Sequence, residues 1–185
     1  MEPTLEFGIG NECIILDKHT ISSEFLGEDQ FGEPIFKNKY TELGRLMFNI
    51  KYAKDKLAVK EVVSLISNNL NRYRDKIDLI IPVPPSNKDR FYQPVYELVK
   101  AFAKYLNKQY KLNLLKKNSS NQAKNGENVI NTIEKVYNLE EKVNILLVDD
   151  IFRTGNTLKE CCKILRQDKN VDKIYCLAMT RTRKR

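Results

Sequence analysis

The chain has 185 residues, of which 42% are hydrophobic and 30% charged, and these proportions exclude collagen-like and wholly disordered proteins. No apolar run approaches the roughly 18 residues of a membrane span, and the acidic N-terminal segment lacks the basic region of a secretory signal. The net charge of +8 indicates anionic partners such as phosphate-rich small molecules, nucleic acid or an acidic protein, although a lysine-rich surface alone would also account for it.

The first 40 residues predict short strands separated by turns. Two apolar stretches, Leu5–Ile9 and Cys13–Leu16, are followed by further glycine and proline residues that are typical of turns. We interpret residues 1–40 as a small N-terminal β-rich extension and residues 41–185 as the main domain.

The rest of the chain alternates between predicted helices and predicted strands. Apolar residues at helical spacing predict helices at 43–52, 57–73, 94–108 and 158–165. Short apolar runs predict strands at 77–83, 112–115, 143–148 and 171–179. Small polar residues and lysines predict a mobile loop at 116–128, and a turn is predicted at 149–156. This alternation is typical of an α/β fold in which a mainly parallel central sheet is flanked by helices.

Four cysteines, Cys13, Cys161, Cys162 and Cys176, form no Cys-x-x-Cys pair. Adjacent cysteines suit neither a helix disulfide nor a tetrahedral zinc site, so we expect free thiols, no metal bound by the protein alone and a reducing, cytoplasmic location. The single histidine, His19, completes no metal cluster, and nothing in the sequence supports a nucleophilic triad built on it.

The segment NILLVDDIFRTGNTLKE carries the chemistry of the chain. An apolar strand ends in Asp149 and Asp150, and a turn with Thr154, Gly155 and Thr157 leads directly into a helix. Glycine allows the backbone to turn and to approach a ligand closely, so that successive N–H groups and the helix N-terminus face it. The pattern predicts a cradle for one phosphate group at the carboxyl end of a strand, with the two acids beside it.

Three other interpretations share parts of this pattern. A receiver domain also opens with a strand that ends in two acids, but it needs several further βα units after that strand. A Walker-B strand of a nucleoside triphosphatase requires a G-x-x-x-x-G-K-[ST] segment, and the sequence contains none. A purely structural turn capped by Asp and Thr stays open, although two adjacent acids at a strand end are unusual in that role.

The residues DDIFRTGNT after the run ILLV resemble the 5-phosphoribosyl-1-diphosphate (PRPP) binding motif of type I phosphoribosyltransferases. The chain resembles in particular the competence-associated ComF-like branch, in which a strand reading IPVP precedes a basic loop and an aromatic-Gln pair that opens a helix. Here these are Ile81–Pro84, then Lys88, Arg90 and the residues FYQ. The ending LAMTRTR is similar to standalone members of that branch. The resemblance covers roughly residues 43–183 and is weakest over 116–142.

The resemblance implies transfer of the phosphoribosyl group of PRPP, with magnesium as cofactor, to a nitrogen acceptor that the sequence does not identify. In such enzymes diphosphate leaves the anomeric carbon through a transition state like an oxocarbenium ion, so catalysis is electrostatic and positional. The catalytic carboxylates would be Asp149 and Asp150, beside the ribose. Magnesium would arrive bound to substrate oxygens rather than in a protein cage.

The resemblance also assigns three further groups of residues. The anchor of the substrate phosphate would be Phe152, Arg153, Thr154, Gly155, Asn156 and Thr157. The diphosphate loop would be Pro84, Pro85, Ser86, Lys88 and Arg90. The mobile loop would contribute Lys116, Lys117 and Lys124. Residues 1–40 would stand in the place of the hood that sets the acceptor in type I enzymes.

Several features depart from the family pattern. Arg153 replaces the first of two threonines before the glycine, the loop after Pro84 is shorter than in ComF-like sequences, and the four-cysteine zinc ribbon of that branch is absent. These departures leave a second hypothesis open, a non-catalytic module that binds PRPP or a nucleotide, or that assists DNA uptake or repair. The basic ending RTRKR fits nucleic acid or a DNA-processing protein as partner, and a homodimer is expected by analogy with the fold.

Overall fold

The computed structural model describes residues 1–85, 91–119 and 131–182. The strands in these ranges are β1 (Thr4–Leu5), β2 (Glu12–Lys18), β3 (Thr20–Glu28), β4 (Pro34–Tyr40), β5 (Leu79–Pro82), β6 (Gln109–Tyr110), β7 (Leu115–Ser119), β8 (Asn131–Lys135), β9 (Val143–Phe152) and β10 (Val171–Arg181). The helices are α1 (Glu42–Phe48), α2 (Lys56–Leu65), α3 (Ser67–Asn71), α4 (Pro94–Leu106) and α5 (Asn156–Leu165), and a π-helical turn, Asn49–Ala53, follows α1. None of the described helices is long and apolar enough to cross a membrane.

The largest sheet of the described residues has six strands in the order β1-β2-β10-β9-β5-β6. Strands β2, β10, β9, β5 and β6 run parallel to one another, and β1 pairs antiparallel with β2 at the edge. Helices that cover both faces of a parallel sheet require its central strands to be apolar throughout, as they are here. The predicted α/β fold with a mainly parallel sheet flanked by helices is confirmed.

Alternate residues of the central strands contribute to two hydrophobic cores, one on each face of the sheet. In β9, Leu146 and Val148 belong to the core formed with α1, α2 and α4, whereas Ile145 and Leu147 belong to the core formed with α5. All four side chains are fully buried. Because side chains alternate along a strand, the residues that follow these four also start on opposite faces of the sheet.

The predicted N-terminal extension, residues 1–40, divides between two sheets. Strand β2 lies in the six-stranded sheet beside β10, and Cys13 is opposite Cys176 in the register of these two strands. The side chains of residues 13–16 are buried. Strands β3 and β4 form a separate two-stranded antiparallel sheet, which we call the ribbon. The ribbon is therefore the part of this segment that stands outside the main sheet.

Strand pairing shifts some of the predicted boundaries. Residues 149–152, predicted as a turn, extend β9 because their backbone pairs with the end of β10. Residues 116–119, predicted as the start of a mobile loop, lie in β7 and pair with β8, and the remainder of that loop, 120–128, lies outside the described residues. The predicted helix 57–73 consists of α2 and α3, which meet at Ile66.

Candidate functional site

A cleft of about 620 Å³ opens at the carboxyl ends of the central strands. One side is formed by the end of β9 and the turn into α5, and the other by the exit from β5 and the first turn of α4. The N–H of Val83 donates to the carbonyl of Val148 at 2.8 Å, which places the β5 exit beside Asp149. The cleft is thus built from the ends of two adjacent parallel strands, where open α/β sheets bind ligands.

The turn between β9 and α5 is three residues long and depends on Gly155. This residue has φ +79°, a left-handed conformation that glycine adopts without strain. A Cβ atom there would lie 2.8 Å from Cδ1 of Ile9 and 2.9 Å from Cζ of Phe152, so close packing also excludes a larger residue. The Gly155 carbonyl accepts a helical hydrogen bond from the N–H of Lys159 at 2.9 Å, and α5 therefore begins at the wall of the cleft.

The N-terminal turn of α5 is suited to an anion. Thr154, Gly155 and Thr157 line the cleft, and Oγ1 of Thr154 accepts a hydrogen bond from the N–H of Asn156 at 3.4 Å. The first N–H groups of a helix find no carbonyl within that helix, and the helix dipole adds partial positive charge at the same end. This end of the cleft can therefore bind one phosphate group or a similar oxyanion.

Asp149 and Asp150 both line the cleft, and both are half-buried. As neighbours in β9 they lie toward opposite faces of the sheet, Asp149 on the α5 side and Asp150 on the α1 side. Burial, followed by the negative charge of Asp150, raises the pKa of Asp149 to about 8. The pair therefore retains a proton at neutral pH and can both accept and donate hydrogen bonds to hydroxyl groups of a ligand.

Two basic residues that the motifs did not assign to the site lie on the α1 side. Lys51, in the π-helical turn, lines the cleft. Burial first, and then the positive charge of Lys51, lower the pKa of His19, while the negative charge of Asp150 opposes both. Sequence reasoning missed Lys51 because it belongs to no motif, and nothing in its neighbourhood along the chain distinguishes it from other lysines.

Five residues of the predicted phosphate anchor line the cleft. They are Phe152, Arg153, Thr154, Gly155 and Thr157. Phe152 is buried against Gly155, whereas Arg153 is exposed. Asn156 is also exposed, and its contribution to the turn is its backbone N–H. The segment therefore presents mainly backbone and hydroxyl groups to the cleft, and its role as a phosphate anchor stays a prediction.

The predicted diphosphate and mobile loops are only partly described. Pro84, Pro85 and Lys117 line the cleft. Outside the described residues lie Ser86, Lys88, Arg90 and Lys124. Lys116 lines a neighbouring cavity of about 450 Å³, which shares Lys117 and the two prolines with the cleft. Its ammonium group lies 3.6 Å from the carboxylate of Glu134.

A profile of the family described as phosphoribosyl transferase domain matches residues 51–183. The matched segment contains β5, α4, β9 and α5, the elements whose ends border the cleft, and also β10. Among curated proteins, no sequence matches the chain.

Several solved structures match the chain at low sequence identity. A hypothetical protein from Neisseria gonorrhoeae with bound ppGpp is 15% identical, and the match covers 69% of each chain with a TM-score of 0.50. A purine phosphoribosyltransferase from Pyrococcus horikoshii Ot3 is 18% identical over 68% of this chain and 84% of its own, with a TM-score of 0.46. An adenine phosphoribosyltransferase from Thermoanaerobacter pseudethanolicus ATCC 33223 is 16% identical over 89% of this chain and 96% of its own, with a TM-score of 0.44.

Proposed function

Because this chain belongs to the phosphoribosyl transferase domain family, we propose that it binds PRPP with magnesium in the cleft and transfers the phosphoribosyl group to a nitrogen acceptor. The observation that carries the proposal is the meeting, in one cleft, of a helix N-terminus suited to phosphate and two carboxylates beside it. The motifs favour the ComF-like branch of the family, and the acceptor is a nitrogen nucleophile without an assigned identity.

The phosphate at the 5-position of the ribose binds at the start of α5. Its donors are the N–H groups of that turn and the hydroxyls of Thr154 and Thr157, with the exposed Arg153 at the same turn. A phosphate held there leaves the ribose over the end of β9. The ribose hydroxyls then lie within reach of Asp149 and Asp150, which is the arrangement that the reaction requires.

In the reaction, the bond from the anomeric carbon to the diphosphate oxygen breaks, and its electron pair leaves with diphosphate. The lone pair of the acceptor nitrogen forms the new bond to carbon. Positive charge develops on the ribose between these events, and carboxylates fixed beside it stabilise that charge. Asp149 and Asp150 are placed to do so, and they also bind the ribose hydroxyls.

The residues of the cleft fit a magnesium ion that arrives with the substrate. Carboxylate oxygens are ligands that magnesium prefers, and a cation beside Asp149 would offset the burial and the repulsion from Asp150 that together raise its pKa to about 8. When bound, magnesium neutralises charge on the diphosphate. Lys51 and Lys117 at the cleft, and Lys88 and Arg90 of the predicted diphosphate loop, supply further positive charge.

Calorimetric titration with magnesium and PRPP tests the proposal on the full chain. We expect wild type to bind with a dissociation constant on the order of micromolar, as is common for enzyme substrates. The double variant Asp149→Asn/Asp150→Asn should lose this binding. A matched control is Glu140→Gln/Glu141→Gln, because it also neutralises two adjacent acids, which are exposed and lie outside the cleft lining.

Turnover is measured on the same proteins with a panel of nucleobases and amines, by release of diphosphate. Diphosphate release that depends on an acceptor and disappears in Asp149→Asn/Asp150→Asn supports the transferase. PRPP binding without release for any acceptor would favour the second hypothesis, a ligand-binding module, and ppGpp, which is bound in the Neisseria structure, is then the next ligand to titrate. A folded wild type that binds neither PRPP nor ribose 5-phosphate would refute the transferase and PRPP binding, and would leave the nucleotide and DNA forms of the second hypothesis as the next to test.

A further inference from the structure

The single histidine of the chain is linked by hydrogen bonds to one of the two cleft acids. Nδ1 of His19 lies 3.0 Å from Oγ1 of Thr180. Thr180 is fully buried, and its hydroxyl donates to the main-chain carbonyl of Asp150 at 3.4 Å. A hydroxyl group has one hydrogen, so a threonine that donates to Asp150 must accept from His19. This arrangement of bonds requires a neutral imidazole to have its hydrogen on Nδ1.

The backbone of His19 is held from two sides. Its N–H donates to the carbonyl of Arg181 at 2.9 Å, and its carbonyl accepts from the N–H of Thr41 at 3.3 Å. The ring of Tyr40 meets the imidazole edge-on, with 5.4 Å between the ring centroids. Since β10 and the end of the ribbon where Thr20 pairs with Tyr40 meet at this one residue, its position relative to Thr180 is fixed by tertiary structure.

The same contacts connect the N-terminal segment to the cleft. Tyr40 stacks on Phe48 with centroids 5.2 Å apart, and Phe48 on Tyr52 with centroids 4.7 Å apart. Lys51, which lines the cleft, precedes Tyr52 in the π-helical turn. The corner between β2 and β3 thus contacts the α1 side of the site through Thr180 and, by the aromatic contacts, through the turn that carries Lys51.

We propose that His19 is a positioning residue, which holds the end of β9 through the hydroxyl of Thr180 and so sets the place of the Asp150 carboxylate in the cleft. The inference rests on the proposed function, because it assigns Asp150 a role at the ribose. It makes the segment before residue 51, which lies outside the family match, part of the unit that binds the substrate.

The hydrogen-bond chain can be tested without any substrate. His19 is the one histidine in the sequence, so an NMR spectrum of protein labelled with ¹⁵N-histidine reports this imidazole alone. We expect the hydrogen on Nδ1 in wild type. In Thr180→Val, which removes the acceptor while keeping the side-chain shape, the hydrogen should move to Nε2. A wild-type imidazole that carries its hydrogen on Nε2, unchanged by Thr180→Val, would overturn the proposal.

Kinetics on the full chain test the positioning role. His19→Leu and Thr180→Val should each lower kcat by at least about tenfold with KM changed less than about threefold, because a displaced Asp150 weakens transition-state stabilisation more than substrate binding. His19→Asn, whose amide can donate from the place of Nδ1, and Thr180→Ser should recover most of kcat. The double variant His19→Leu/Thr180→Val should resemble the singles, since both break one chain of bonds.

The outcomes separate this inference from the proposed function. Wild type that turns over PRPP while His19→Leu retains full kcat would overturn the positioning role and leave the transferase intact. Wild type that neither binds nor turns over PRPP would refute both. Ser23→Ala serves as a control for general disturbance of the ribbon, because Ser23 is exposed and bonds Asn38 within it at 2.7 Å. A loss of kcat in this control equal to that in His19→Leu would show that the ribbon, rather than the imidazole, matters.

Discussion

The cleft is formed by the two segments that leave strands β9 and β5, which we call the β9 exit and the β5 exit, and these two segments are built in different ways. After β9 the chain reaches α5 through three residues, whereas after β5 it needs the eleven residues 83–93 to reach α4. The short exit turns at Gly155, which has φ +79°. The long exit contains Pro84 and Pro85 near its start and ends at Gln93, whose backbone is extended, before Pro94 opens the helix.

This difference determines which groups each exit can offer to an anion. A tight turn with a left-handed glycine brings backbone N–H groups to the ligand, and these donors do not depend on side-chain identity. Proline has no N–H, so Pro84 and Pro85 offer an anion no backbone donor, and the resemblance assigns the charged side chains of Lys88 and Arg90 to this loop. We therefore expect the β9 exit to be sensitive to backbone geometry and the β5 exit to be sensitive to charge.

The largest effect is expected from Gly155→Ala, which breaks the tight exit. A left-handed backbone costs alanine about 1 kcal/mol, and the overlap of Cβ with Ile9 and Phe152 should add about 2 kcal/mol. Chemical denaturation should show the free energy of unfolding lowered by about 3 kcal/mol, and titration should show PRPP affinity reduced by at least about tenfold.

Gly32→Ala is the matched control for this variant. Gly32 also has φ +79°, but no atom lies within 4 Å of the place of its Cβ. Its substitution carries the backbone cost alone, so unfolding should be easier by about 1 kcal/mol and PRPP affinity unchanged. Equal losses of stability in both variants would show that packing around Gly155 is unimportant.

A smaller effect is expected from the pH dependence of stability, which probes the acid pair at the β9 exit. The pKa of Asp149 is raised from its usual 3.8 to about 8 in the folded chain. As the pH rises from about 4 to about 8, the unfolded chain therefore releases this proton first, and the folded state is progressively destabilised. Asp149→Asn removes this component because asparagine stays neutral.

The measurement is the free energy of unfolding of wild type and Asp149→Asn at about pH 5 and about pH 8, by the same chemical denaturation method. Between these values wild type should lose at least about 2 kcal/mol more stability than Asp149→Asn. Asp172→Asn, at an exposed position of β10, should follow wild type. Parallel curves for wild type and Asp149→Asn would contradict the raised pKa of Asp149.

The smallest expected effect is a difference between the two exits in how their variants change the affinities for ribose 5-phosphate and PRPP. Thr154→Val removes one hydroxyl donor at the phosphate cradle, so affinities for ribose 5-phosphate and PRPP should both fall, by about threefold. Arg90→Met removes charge from the predicted diphosphate loop, so affinity should fall for PRPP alone, also by about threefold or more. Calorimetry with both ligands gives these ratios.

Arg45→Met is the control for the loss of an arginine, because Arg45 is exposed on α1 and lies outside the cleft lining. It should leave both affinities unchanged. If Arg90→Met lowers the affinity for ribose 5-phosphate as much as the affinity for PRPP, the proposal that the two exits bind different groups of PRPP is wrong.

Much of the fold could be predicted because its helices and strands are determined by residues that are close along the chain. The apolar runs that became β5, β9 and β10 need no knowledge of the rest of the chain, and neither does the turn at Gly155 that opens α5. The end of β9 was placed too early because Asp149 and Asp150 are polar, and polar residues in sequence favour a turn. Their backbone stays in the strand since β10 extends beside it.

The placement of the N-terminal segment could not be predicted from its pattern. The apolar run Cys13–Leu16 has the same appearance in a separate hairpin and in a large sheet. In the structure it pairs with β10, which follows it by more than a hundred residues. Two effects place this run beside β10. Its side chains are buried in the two cores on either face of the sheet. Its backbone also pairs with an edge of β10 whose N–H and C=O groups would otherwise be exposed.

The sequence by itself determined the α/β alternation and the short turn from β9 into α5, because both arise from residues that are close along the chain. Only the tertiary structure brought Lys51 to the cleft and His19 to Thr180. The latter two residues are separated by 161 positions, and their contact follows from the order of strands in the sheet. Strand order depends on which apolar faces bury one another, and no local spacing of residues carries that information.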